Sequence, residues 1–238
     1  MQNAAMTADA SGPGSSLEDD GAPLTDAQKS LRAQMLATEH WSLLASRSTT
    51  QGEVLTRIAI FLTLVSAGLV TLGVLGNATE FRGWFGVAAL GVLLLLVLLG
   101  LVTQLRVYNT ATEDLMYVVA MNRLRGAYLD LDPGLAPYLL MSPNDDRAGA
   151  ERTYHYFFPR GQSQVLASSM MVITVVTAVV AGLFAGSLAL ALGVFVWVAV
   201  AIGAAVALAL FAGSLARGYR LYLRSWAEHE PLRRTSTD

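Results

Sequence analysis

Cysteine is absent from all 238 residues, which excludes disulfides, iron–sulfur clusters and thiolate zinc sites. Charge is scarce as well. Charged side chains make up 14% of the chain, against about 25% in a soluble globular domain. The shortage is concentrated: between Gly161 and Ala216, 56 residues in all, no side chain is charged. A single helix of that length would run roughly 84 Å, against a hydrocarbon core of about 30 Å, so the stretch must fold back as two spans. The histidines, His40, His155 and His229, all lie outside the apolar runs. No ionisable residue falls at mid-bilayer. That argues against proton-coupled transport, an intramembrane aspartyl or zinc protease, and haem held between spans. No phosphate loop, dinucleotide fingerprint, His-Glu-x-x-His or nucleophile elbow occurs. The expectation is a protein that is not an enzyme and has no cofactor, no metal and no catalytic residue. A net charge of −2 gives no reason to expect nucleic acid.

What is present is apolar sequence in four blocks. Twenty-two uncharged residues separate Arg57 from Glu80, and 23 separate Arg82 from Arg106. Spans are expected at about 56–76, 84–105, 165–185 and 190–213, with the last turn near Gly186-Ser187. Trp84 and Phe85 open the second span at aromatic-belt depth. The fold class is all-α: an integral membrane four-helix protein of two transmembrane hairpins with cytoplasmic helices. The segments read as a disordered tail (1–24), a cytoplasmic amphipathic helix (25–53), hairpin 1 (54–106), a cytoplasmic helical segment (107–160), hairpin 2 (161–216) and a basic helix and tail (217–238).

Local signals fill in these segments. Thr25-x-x-Gln28 is a capping box ahead of a helix over 26–47, whose Ala33, Leu36, Ala37, Trp41 and Leu44 share a face. The second span is expected to continue into water and to end near Asp130, before the turn signal Asp132-Pro133-Gly134. Its two stripes, Leu115/Val118/Val119/Asn122 and Tyr117/Met121/Leu124/Tyr128, imply burial on both sides. A short helix near 135–141 and a polar loop over 142–150 follow. Asp130, Asp132, Asp145, Asp146 and Glu151 fit no calcium or magnesium loop and read as solvated acids. The aromatic run Thr153–Arg160 marks the interface before the third span.

Fifteen of the sixteen basic residues fall on one side of this arrangement, and Arg82 alone on the other. By the positive-inside rule both termini and the middle segment are cytoplasmic and the protein is a multi-pass plasma-membrane protein.

Candidate functional residues are few. Thr63 and Ser66 in the first span and Thr174 and Thr177 in the third are helix-packing or pore-lining hydroxyls. They sit in a weak repeat, Thr63-Leu-Val-Ser66-Ala67 against Thr174-Val-Val-Thr177-Ala178. Gly182 and Gly186, and Ala199, Gly203 and Ala207, mark faces of close helix approach. Arg217, Arg220 and Arg224 form one basic face suited to anionic lipid headgroups.

Two stretches carry a resemblance: Ala37–Arg47, and Met121–Asp130 with Pro133 and Ala136-Pro137-Tyr138. They resemble a group of uncharacterised bacterial multi-span membrane proteins over roughly residues 30–160. More distantly, the order of cytoplasmic helix, two spans and cytoplasmic helix is similar to SLATT-type membrane effectors, which implies oligomers that act on membranes. The leading expectation is a homo-oligomer in the bilayer with cytoplasmic sensing or docking helices and a gated pore. The alternatives are a scaffold recruiting a cytoplasmic protein through 106–160, or a transporter of an uncharged or lipid-like molecule.

Overall fold

A computed structural model describes residues 24–157 and 168–236. The tail over 1–23, and the end of the aromatic run with Arg160, lie outside the described residues. Among those described, the elements are helices: α1 (Asp26–Ala78), α2 (Phe85–Leu131), a 3-10 turn (Pro133–Tyr138), α3 (Arg147–Tyr154), α4 (Ser169–Ala191) and α5 (Val196–Ala227). Four of them, α1, α2, α4 and α5, are long and apolar enough to cross a membrane.

α1 starts on the capping box: the Gln28 amide donates to Thr25 Oγ1 at 3.3 Å, and the Gln28 side chain receives the Thr25 amide. It then runs unbroken for 53 residues, about 80 Å at 1.5 Å per residue. The expected separation between a 26–47 helix and a first span is therefore absent. No proline interrupts residues 48–55, and the Thr49 and Thr56 hydroxyls bond back to carbonyls four residues earlier, leaving the ladder closed. One stripe meets α2 along most of this length, through Leu43 and then Val54, Ile58, Phe61 and Val65. Of the expected face, Ala33, Leu36 and Ala37 are half-buried, and the expectation fails at Trp41 and Leu44, which are exposed. Trp41 is 71% exposed, and His40 and Leu43 turn inward instead.

α2 carries the apolar block and then continues as charged helix to Leu131, where Asp132 accepts the Gly134 amide at 2.9 Å and starts the 3-10 turn. The apolar segments of α1, α2, α4 and α5 form one body. Phe61, Leu93, Leu96, Ile173 and Val180 fill its interior. Its outer faces are uncovered: Ile60, Val70, Val87, Leu95, Val179 and Leu208 are all exposed. A continuous apolar belt of this kind is costly in water and matched by hydrocarbon.

α4 and α5 approach through glycine. A Cβ on Gly182 would lie 2.6 Å from the Gly203 carbonyl oxygen, and one on Gly203 would lie 2.7 Å from that of Gly182. The face Ala199/Gly203 therefore serves α4. The turn between the two helices is not at Gly186-Ser187. Gly186 is helical and packs on Ala199, and the chain reverses at Leu192–Phe195, where Gly193 takes φ +83°. Side chains other than glycine rarely adopt that conformation. Phe81, Trp84 and Phe85 sit at the α1–α2 turn, and Phe195 and Trp197 at the α4–α5 turn. Such residues form aromatic girdles at membrane surfaces.

Candidate functional site

α1, α2 and α5 are longer than an apolar belt requires, and their polar ends gather with α3 into a helical head. Charge ties the head together. Arg47 grips Asp114 with two bonds, Nε to Oδ1 at 2.6 Å and Nη2 to Oδ2 at 3.2 Å. Gln51 donates to Oδ1 at 2.7 Å, and the Tyr154 hydroxyl to Oδ2 at 2.6 Å. One half-buried carboxylate thus joins α1, α2 and α3. Burial works against its ionisation, but the bonds from Arg47, Tyr154 and Gln51 outweigh it and hold its pKa below the ordinary range. Nearer the belt, Arg106 reaches Glu53 at 3.2 Å and Glu113 at 2.9 Å.

Further out, Asn122 is fully buried. Its Nδ2 donates to the Asn144 carbonyl at 2.9 Å, and its Oδ1 receives Thr153 Oγ1 at 2.9 Å and Arg125 Nη1 at 2.7 Å. Together with Val118 and Met121 it explains both stripes of α2, which bury against elements of the same chain.

The expected polar loop over 142–150 is structured. Asp146 caps α3 by accepting the Gly149 amide at 2.8 Å, and it also accepts the Thr235 amide at 2.7 Å. Asp145 is not a solvated acid: its side chain is 1% exposed. It accepts the backbone amides of Leu232 at 3.0 Å and Arg233 at 2.7 Å, and the Arg123 guanidinium. His229 Nε2 lies 2.7 Å from the Asp145 carbonyl oxygen. Residues 229–235 therefore form a strap closed onto the loop after the 3-10 turn. Burial opposes the Asp145 charge; the Arg233 amide, the Arg123 guanidinium and the Leu232 amide prevail and keep its pKa low.

Between head and belt lies a cavity of about 770 Å³. α2, α3, the start of α4 and the end of α5 all line it. Tyr108, Met170 and Gly218 meet at its end nearest the apolar segments and form its floor, and Leu115, Leu221 and Trp226 add apolar lining. Asp114, Glu151, Arg152, Tyr154 and His155 supply the polar rim. Ligand sites are typically 300–1,000 Å³, mostly apolar, with a few placed polar groups. The chain has no match among protein-family models, curated proteins or solved structures. The cavity is the best-formed candidate site among the described residues, and no cluster of three metal-ligating side chains occurs among them.

The floor is wired to the apolar helices. Gln104 is buried, and its Nε2 donates to Thr174 Oγ1 and to the Tyr108 hydroxyl, each at 3.1 Å. The Tyr108 hydroxyl donates to the Ser214 carbonyl at 2.9 Å. This links α2, α4 and α5 under the cavity.

The four candidate hydroxyls do not converge. Thr174 and Thr177 are buried between helices, Thr177 against Gly100. Thr63 and Ser66 are exposed and bond back to Ala59 and Leu62 carbonyls of their own helix. The two copies of the weak repeat thus occupy unlike environments. Arg217, Arg220 and Arg224 are exposed on α5; Arg217 lies 6.0 Å from the centre of the Tyr108 ring, and Arg224 pairs with Glu228 at 2.8 Å. The cavity, Gln104 and the Asp145 strap were missed in the sequence. Gln104 stands at the end of an apolar run, where it reads as an interfacial residue, and its partner is 70 residues away.

Proposed function

We propose that this chain is a non-enzymatic, multi-pass plasma-membrane protein with both termini cytoplasmic. It works as a homo-oligomer in which the four helices form the membrane body and the cytoplasmic head is a ligand-sensing layer. The cavity carries this reading. A molecule bound there touches α2, α3, α4 and α5 at once, and its floor residue Tyr108 is bonded to both α2 and α5. Occupancy can therefore bias how the head sits on the body, which is what a sensor requires. The exposed basic face of Arg217, Arg220 and Arg224 is placed to meet anionic headgroups beside it.

A second reading is favoured by one observation. Thr56, Thr63 and Ser66 are exposed on α1 while the interior of the body is filled. A pore of this protein would run between copies rather than through one.

The test is the mass of the full chain in nanodiscs, with conductance recorded from the same preparation. The expected mass is a whole multiple, greater than one, of 25.4 kDa. Single-channel steps abolished by Ser66→Val would add the pore. A monodisperse monomer would contradict the oligomer.

A further inference from the structure

We infer that the cavity between head and belt binds an anionic amphiphile, with its acid group at Arg152 and its apolar tail along Leu115, Met170, Leu221 and Trp226. This rests on the reading of the cavity as the sensing site and names the class of ligand it takes.

The charge balance of the rim points to an anion. Two carboxylates line the cavity, and both are engaged. Asp114 is held by Arg47, Gln51 and Tyr154. Glu151 accepts Arg147 Nε at 3.0 Å and the Tyr222 hydroxyl at 3.3 Å. Each carboxylate is thus already charge-balanced by a guanidinium, Asp114 by Arg47 and Glu151 by Arg147. Arg152 also lines the cavity, is exposed, and has no carboxylate partner among the described residues. A guanidinium presents a fork of donors that matches carboxylate and phosphate oxygens.

The walls point to an acyl or alkyl tail. Met170 packs on the core of the apolar body and Leu115 and Trp226 on that of the head, all three line the cavity with Leu221, and the aromatic lining includes Tyr154, Tyr156 and Phe157. Met170 closes the floor against Gly218, where a Cβ would lie 2.3 Å from the Met170 methyl carbon. A thioether side chain adapts to tails of differing shape.

Position supplies the route. The floor residues Tyr108 and Gly218 stand two positions beyond Arg106 and one beyond Arg217, the first charged residues past the apolar runs of α2 and α5, and Met170 is in the first turn of α4 beside them. With the four apolar helices spanning the bilayer as proposed, this level meets the headgroups, and an amphiphile would enter from its own depth without crossing water.

Trp226 reports on occupancy. The chain has four tryptophans, and Trp41→Phe, Trp84→Phe and Trp197→Phe leave Trp226 alone. The full chain is placed in nanodiscs of zwitterionic lipid and titrated with a bromine-labelled medium-chain fatty acid or with the matching alcohol. The expected result is saturable quenching by the acid, with the alcohol weaker by about tenfold or more. Arg152→Gln is expected to lower the acid to the level of the alcohol. Nanodiscs containing a bromine-labelled anionic phospholipid separate the sources. Quenching that depends on Arg152 there identifies a bilayer lipid, and quenching by the added acid alone identifies a free amphiphile.

Equal quenching by acid and alcohol in the native-rim chain would overturn the anionic assignment and leave the cavity as a binding site. Absence of quenching by every probe would overturn the inference outright. Maleimide labelling of Ala111→Cys on the cavity wall then decides the wider reading. Labelling shows an open cavity and keeps the sensing site, whereas its absence removes that as well.

Discussion

Replacing Asp145 with alanine is expected to release the strap over residues 229–235 while the four long helices stay packed. Asp145 is the most demanding side chain of the head: its carboxylate is 1% exposed and accepts two backbone amides and a guanidinium. Alanine leaves the Leu232 and Arg233 amides facing a space with no acceptor. Removing one partner of a buried charged pair costs about 3–5 kcal/mol. Arg123 is 39% exposed, so the lower end, about 3 kcal/mol, is the better figure here. That corresponds to more than a hundredfold in the opening of the strap. Hydrogen exchange would read it as faster exchange at Leu232, Arg233 and Thr235, with α4 unchanged. Unchanged exchange at those amides would mean that the strap is held by other contacts.

Acid is expected to act in the same direction as the substitution. The folded pKa of Asp145 is depressed, so its contribution is fully present above the unfolded carboxylate value of about 3.9. It is lost as the pH falls below that value and through the folded one. The strap should therefore stay closed from neutrality to about pH 4 and open beyond, and Asp145→Asn should blunt this dependence.

Some of this fold is written in short sequence signals. Thr25 and Gln28 lie three residues apart and cap α1 as a local pair can, without help from the rest of the chain. Asp132-Pro133-Gly134 ends α2 for equally local reasons. The four apolar runs follow from composition, and Ala199, Gly203 and Ala207 advertise a close approach because their four-residue spacing puts small residues alone on one face. The rest depends on distant partners. Asp145 looks like a loop acid until the amides of Leu232 and Arg233 arrive from 87 and 88 residues away. α3 is too short and polar for periodicity to reveal, and Asp146 starts it. The face of α1 is legible at Ala33, Leu36 and Ala37 but not beyond, because apolar residues surround the helix there and only contact with the head selects His40 and Leu43 over Trp41 and Leu44. The cavity has no sequence signature, since its walls come from four separate helices.

Gly203→Leu is expected to give the largest effect within the apolar body. The Cβ alone would sit 2.7 Å from the Gly182 carbonyl oxygen, and that atom is helix backbone with nowhere to move. α4 and α5 must separate, which strips contacts from the whole seam between them. Overpacking of this kind costs about 1–3 kcal/mol or more, and close backbone approach is a main source of helix association in lipid. Gly213→Leu is the matched control, because a Cβ at Gly213 meets nothing within 4 Å. A cysteine pair at Gly186 and Ala199 reports the separation directly. Cross-linking is expected with the native Gly203 and with Gly213→Leu, and to fail with Gly203→Leu. Cross-linking that survives Gly203→Leu would show that the helices do not depend on this contact.

The most direct test of the membrane reading uses what the chain lacks. With no native cysteine, any single introduced thiol reports its own position. Ala78→Cys and Leu192→Cys mark the two turns at one end of the body, and Met35→Cys and Leu140→Cys mark the head. A membrane-impermeant maleimide applied to intact cells is expected to label the first two and spare the last two, which become reactive only after permeabilisation. Labelling of Met35→Cys or Leu140→Cys on intact cells, or opposite behaviour of the two turn positions, would contradict a four-span body with a cytoplasmic head.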